Sequence, residues 1–381
     1  MTVDSPVHSP PDGRPIPLVD LGAQMREIEN DVWPELKDLF ARTAFIGGAA
    51  VDQFESAFAK LIDTAHCIGV GNGTDAVELA LRAVGVTAGG EVIMPANTFI
   101  ATAEAAWRIG ARPVPVDVDP QYLLIDPDRV AEALSERTQA IVPVHLFGQV
   151  APVERLQQIA ATAGIPIVED AAQSQGASRL GRPAGSLGTV AATSFYPGKN
   201  LGAAGDGGAV MTNDATIART VRVIAAHGSE RKYDHEILGM NSRLDAVQAV
   251  VLSAKLKRLM EWNEQRRAAA ARYSVLLAGV DRVQAPSSDP DNVDVWHLYV
   301  VQVEDRDRVL ADLNAAGIGA GIHYPTPIHL TGAMAGYGYP EGICPVAEHA
   351  ADRILSLPIH PHITAAQQEY VVERLAAAVL R

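Results

Sequence analysis

The sequence predicts an α/β protein, with a mostly parallel sheet covered by helices and a smaller α+β region at the C-terminal end. Three observations carry this. Short apolar runs alternate with helix-period stretches between about residues 67 and 212. A long helical pattern with few breakers follows over 244–278 and leads into a mixed region. The loops after the apolar runs are rich in glycine and polar residues, as loops at the carboxyl edge of such a sheet often are.

Taken in order, residues 1–15 read as a loose Pro-, Ser- and Asp-containing tail. Helices are expected over 22–42, with Ile28, Val32, Leu36 and Leu39 on one face, and over 50–62. Phe45-Ile46-Gly47-Gly48 separates them. Strands are expected over 67–71, 91–94, 113–118, 140–144, 166–168, 189–195 and 209–212. Helices over 76–84, 98–109, 127–136 and 153–163 supply the crossovers. The C-terminal region reads as strand 298–303, helix 306–316, strand 318–323 and helix 365–380. The division is a large α/β domain over 16–262 and a small domain over 263–381.

Of the 381 residues, 48% are hydrophobic and 20% charged, enough apolar content for a sizeable core. The net charge of -14 argues against nucleic acid or an anionic membrane as the main partner. The two cysteines, Cys67 and Cys344, make no disulfide framework, and no metal-ligand spacing occurs, so no metal is expected. No apolar run has transmembrane length and no signal peptide is recognised, so a cytoplasmic protein is expected.

Four loops carry the chemistry. In Gly71-Asn72-Gly73-Thr74-Asp75, two glycines and a helix start suit a phosphate, although Thr74 or Asp75 would equally serve as a plain N-cap. Phe99, just past a strand, could stack on a flat heterocycle or simply fill core. An apolar strand runs into Asp170, a carboxylate that needs a partner such as a pyridinium N–H, and Gln173 lies three residues on. Lys199 sits in a thin glycine-rich loop after Ser194, where a partly dry amine could form a Schiff base. A phosphate cup, a stacking ring, a carboxylate and a lysine, in that order, are what pyridoxal phosphate requires.

The same runs resemble the DegT/DnrJ-type sugar aminotransferases. They are Gly-Asn-Gly-Thr-Asp-Ala (71–76), Pro-Ala-Asn-Thr-Phe-Ile-Ala-Thr (95–102), Pro-Val-His-Leu-Phe-Gly (143–148), Glu-Asp-Ala-Ala-Gln (169–173) and Ser-Phe-Tyr-Pro-Gly-Lys-Asn (194–200). Gly-Met-Asn-Ser-Arg-Leu-Asp (239–245) and Gly-Ile-His-Tyr-Pro-Thr-Pro (321–327) extend the likeness. It implies the aspartate aminotransferase-like fold, type I among pyridoxal phosphate enzymes, and a homodimer with shared active sites. It also implies that Lys199 carries the cofactor, Asp170 meets the pyridine nitrogen, Gln173 lies near the ring oxygen and Phe99 stacks. Gly73, Thr74 and Ser194 would contact the phosphate, with Asn241 reaching it from the other subunit, and Asp75 would belong to the cofactor site. Some members of the family have histidine at the lysine position and act as dehydratases; Lys199 therefore favours transamination. The implied reaction moves an amino group from L-glutamate to a nucleotide-linked keto sugar, at carbon 3 of a dTDP-3-keto-6-deoxyhexose, in deoxyamino sugar biosynthesis. Alternatives are a 4-keto sugar, a keto-inositol, or a regulator that binds the cofactor without turnover. Tyr196, Lys232, His323 and Tyr324 are the expected sugar and diphosphate contacts.

Overall fold

The computed structural model describes residues 10–11, 13–231 and 233–381. Lys232 therefore lies outside the described residues. Among these, seven strands build the central sheet: β1 (His66–Val70), β2 (Glu91–Pro95), β3 (Arg112–Val116), β4 (Thr138–Ile141), β5 (Val168–Asp170), β6 (Val190–Ser194) and β7 (Gly208–Thr212). Their order is β3-β2-β4-β5-β6-β7-β1. The β4–β5 seam is made by the parallel bridges Ile141 to Ile167 and Val144 to Asp170. All are parallel except β7, which runs antiparallel to both neighbours.

Strand residues alternate between the two faces. Val190 and Ala192 pack with α3 (Gly73–Ala83) and α7 (Ala215–Ala225), whereas Ala191 faces α2 (Ala49–Ile62) and α8 (Ala246–Leu256). Phe195, just past β6, meets Phe54 and Phe58 edge-on at 5.3 and 5.4 Å, which pins the chain where it leaves the sheet toward Lys199.

A second apolar cluster joins α9 (Leu259–Leu277), the antiparallel pair Tyr299–Val303 with Ile354–Leu357, and the helices Arg306–Ala315 and Ala365–Val379. Ile16 belongs to this cluster and bridges Ile318, so the chain's early segment packs with its late one. Helix α9 runs unbroken across residues 262 and 263.

Several elements differ from the sequence reading. The strand expected over 318–323 is absent. Ile318 and Gly321 make only isolated bridges, because the early segment passes so close that a Cβ on Gly319 would lie 2.9 Å from the Leu18 nitrogen. The long pattern over 244–278 is two helices, α8 and α9, parted at Lys257-Arg258 without any glycine or proline to signal the break. Helix α7 was not expected; Asp214 caps it by accepting from the Thr216 and Ile217 nitrogens. The strand expected over 166–168 is shifted to Val168–Asp170, which places Asp170 on the strand itself.

Neighbouring Glu169 is fully buried. Its carboxylate accepts from the nitrogens of Gly185 (2.8 Å), Leu187 (2.7 Å) and Gly188 (2.6 Å) and from His145 Nε2 (2.8 Å). Because His145 Nδ1 accepts from the Ala151 nitrogen at 3.1 Å, the ring proton sits on Nε2 and a neutral histidine donates. Glu169→Ala strands four buried donors, so unfolding in denaturant should show a loss of at least about 3 kcal/mol; a loss under about 1 kcal/mol would refute this anchoring role.

Candidate active site

The carboxyl ends of β1, β5 and β6 open on one cavity of about 860 Å³. Gly73, Thr74, Asp75, Phe99, Asp170, Gln173, Ser194, Tyr196, Lys199, His323 and Tyr324 all line it, so the structure brings together every predicted site residue it describes except Asn241. Asn241 is exposed, bridged to Ala226, and lines no part of its own chain's cavity.

The start of helix α3 forms one end of the cavity. Asn72 is its N-cap and accepts from the Asp75 nitrogen at 2.8 Å, so neither Thr74 nor Asp75 caps the helix. The cap uses the third helical N–H and leaves those of Gly73 and Thr74 without helical acceptors, at the positive end of the dipole. A Cβ on Gly73 would fall 2.5 Å from Ser194 Cβ, so only glycine lets Ser194 come beside the helix start. Asp75 is engaged elsewhere, by Arg108 at 3.0 Å and Ser242 at 2.8 Å.

At the other end, Asp170 Oδ2 accepts from Thr102 Oγ1 at 2.8 Å and Oδ1 from the Ala172 nitrogen at 3.2 Å. Thr102, spent as a donor to Asp170, receives the Thr98 hydroxyl at 2.9 Å. Gln173 Oε1 accepts from the Phe147 nitrogen at 2.6 Å, which turns its NH₂ toward the Tyr324 hydroxyl, 3.2 Å away. The Tyr324 ring packs on Phe99 with centroids 5.2 Å apart, leaving Phe99 half exposed to the cavity. His323 Nδ1 pairs with Ser356 Oγ at 2.8 Å.

Lys199 is half-buried, and its backbone N–H donates to the Tyr196 carbonyl at 2.9 Å. Desolvation lowers its ammonium to about 8, and the Asp170 charge opposes this. Burial, then the Lys199 charge, lowers His323 to about 4. The Tyr324 hydroxyl is pushed up, first by burial and then by Asp170.

Thr102, Arg108 and His297 also line the cavity, and the sequence reading gave them no role. The i, i+4 pair Thr98/Thr102 at a helix start was a usable signal for the first. Arg108 and His297 had none, because their positions depend on tertiary packing.

The residues fit pyridoxal phosphate. A glycine-thinned helix start faces a serine, a hydrogen-bonded carboxylate lies at a strand end, and the lysine between them has lowered proton affinity. Fold and site thus define an enzyme of the pyridoxal phosphate class. The chain belongs to the DegT/DnrJ/EryC1/StrS aminotransferase family, whose model matches residues 26–376. It is 45% identical to a Geobacillus stearothermophilus protein described as a pleiotropic regulatory protein, over 95% of this chain and 98% of the relative. It is 43% identical to the dTDP-3-amino-3,4,6-trideoxy-alpha-D-glucose transaminase of Streptomyces venezuelae, over 94% of each. The crystal structure of S. venezuelae DesV in complex with a ketimine intermediate is similar, with a TM-score of 0.94 and 42% identity, over 97% of this chain and 99% of that one.

A lysine whose folded-state pKa is depressed destabilises the fold fully below about pH 8, and the cost fades as pH rises from 8 toward 10.5. Lys199→Met should therefore stabilise cofactor-free protein at pH 7 by roughly 3 kcal/mol, from the 10.5 to 8 displacement. The gain should shrink at higher pH in paired denaturant titrations; a pH-independent difference between 7 and 10 would count against it.

Proposed function

We propose that the protein transfers an amino group from L-glutamate to carbon 3 of a dTDP-3-keto-6-deoxyhexose, in the cytoplasm, as a homodimer with shared active sites. One observation carries this reading: an intact Lys199–Asp170 site in a chain that matches a dTDP-3-amino sugar transaminase along nearly its whole length.

The bound cofactor supplies the carbonyl and electron sink for amino transfer. Asp170, oriented by Thr102 and Ala172, would hold the cofactor's ring nitrogen in its protonated form. Gly73, Thr74 and Ser194 would take the phosphate, and Asn241 of a second copy would join them. Phe99 and Gln173, which line the cavity, would contact the cofactor ring. Lys199, with a pKa lowered toward neutrality, moves the proton at the donor's α-carbon and at the sugar carbon that receives the amine. Tyr196, His323 and Tyr324 line the wall the sugar would meet.

Lys199→Ala should abolish transamination, and Asp170→Asn should retain some cofactor but lose most turnover, on the order of 100-fold or more. Near-normal rates in either variant would overturn the assigned roles. The acceptor is tested by offering glutamate with 3-keto and 4-keto dTDP-sugars and with a keto-inositol, then locating the amine by mass and NMR. Amination at carbon 3 is expected; a preferred 4-keto or inosose acceptor would replace the substrate. The relative described as a pleiotropic regulatory protein favours a second reading, a cofactor-binding regulator. Failure to release 2-oxoglutarate with every acceptor would decide for it.

A further inference from the structure

The first turn of α3 carries two features that oppose each other. Its dipole favours an acidic residue there, and Asp75 fills that place. The same turn offers the Gly73 and Thr74 N–H groups that would take the cofactor phosphate. Asp75 lines the cavity next to them in the chain, and Glu78 follows one turn on. Their side chains are only 10% and 8% exposed, so water screens the two charges poorly. Uncompensated, they would repel a phosphate at the helix start.

Arg108 meets both carboxylates. Its Nη1 lies 3.0 Å from Asp75 Oδ1 and its Nε 2.9 Å from Glu78 Oε2. Arg82 adds a longer pair to Glu78, at 3.4 Å. Ser242 donates to the other Asp75 oxygen at 2.8 Å and accepts from the Gly71 nitrogen at 2.9 Å, so both oxygens of Asp75 are held. Among the described lining residues the cations are Lys199 and Arg108, and the charge that acts on Lys199 is that of Asp170, at the other end. Arg108 is the last residue of α4 (Ile100–Arg108), the helix whose first turn brings Thr102 to Asp170. One helix thus ties down a carboxylate at each end of the cavity.

We propose that Arg108 is a positioning residue for the cofactor phosphate: by pairing with Asp75 it fixes that carboxylate and cancels its charge, so that the Gly73–Thr74 turn can accept a dianion. The inference rests on the pyridoxal phosphate assignment and deepens it. Arg108 acts through Asp75 rather than through a contact of its own with the phosphate.

The test titrates cofactor-free protein with pyridoxamine 5′-phosphate and with pyridoxamine, by calorimetry. Neither amine condenses with Lys199, and the two differ only in the phosphate. Arg108→Met should weaken the phosphorylated ligand roughly tenfold, the effect of one unit charge lost near a dianion at a partly wet site, and leave pyridoxamine unchanged. The loss should shrink as salt is raised, because salt screens the repulsion that the variant exposes. Arg108→Lys keeps the charge without the fork and should stay within about threefold of wild type. Arg108→Met combined with Asp75→Asn should recover most of the loss. Equal weakening of both ligands, an unchanged affinity in Arg108→Met, or no recovery in the double variant overturns the proposal. If Arg108→Met does not fold, Asp75→Asn alone decides: it should bind pyridoxamine phosphate at least as tightly as wild type, and weaker binding overturns the proposal. Wild-type protein that binds neither ligand would refute the cofactor assignment itself, a result distinct from a failure of Arg108 alone.

Discussion

Glu169 and Asp170 are neighbours on β5 and therefore face opposite sides of the sheet. Glu169 is closed off by three backbone N–H groups and a neutral His145, which ties β5 to the loop ending at Gly188 and to the segment after β4. Those bonds fix the end of the strand. Asp170 projects into the cavity with one donor on each oxygen, oriented yet still able to accept more. The site depends on this difference. A carboxylate can serve a buried ring nitrogen only if something else holds its backbone still.

Lys199 answers the same constraint from the other side. Desolvation favours its neutral form and Asp170 favours its charged form, so the amine sits near the point where a proton can go either way. The histidines around it, His297 and His323, are held neutral by burial and by Lys199 itself.

The features legible in the sequence were those written in contiguous residues. The Gly-Asn-Gly-Thr turn, the apolar run into Asp170 and the glycine-rich loop around Lys199 each declare a strand end, and the structure gathers those ends at one edge of the sheet. The strand-helix rhythm likewise announced a mostly parallel sheet, with only β7 reversed. What stayed hidden depends on distant packing. The pairing of Arg108 with Asp75 comes from α4 packing on α3, and the missing strand at 318–323 reflects Ile16 arriving from the far end of the chain. Helix α7 does carry local signals, the Asp214 cap and the apolar spacing Ile217, Val221, Ile224.

The charge balance of the cavity bears on the proposed shared site. Among the described lining residues, the cations are Lys199 and Arg108, and Arg108 is already bound to Asp75 at 3.0 Å and Glu78 at 2.9 Å. Asp75, Asp170 and Asp206 line the same space, so one chain offers a nucleotide sugar more carboxylate than cation. The start of α3 would offset a single phosphate, not a diphosphate as well. Arg231, Asn241 and Arg243 lie exposed, and none of the three lines its own chain's cavity. Placed across a two-fold axis, those three side chains would bring donors toward the partner's cavity, where an acidic chain needs them to hold a doubly charged ligand.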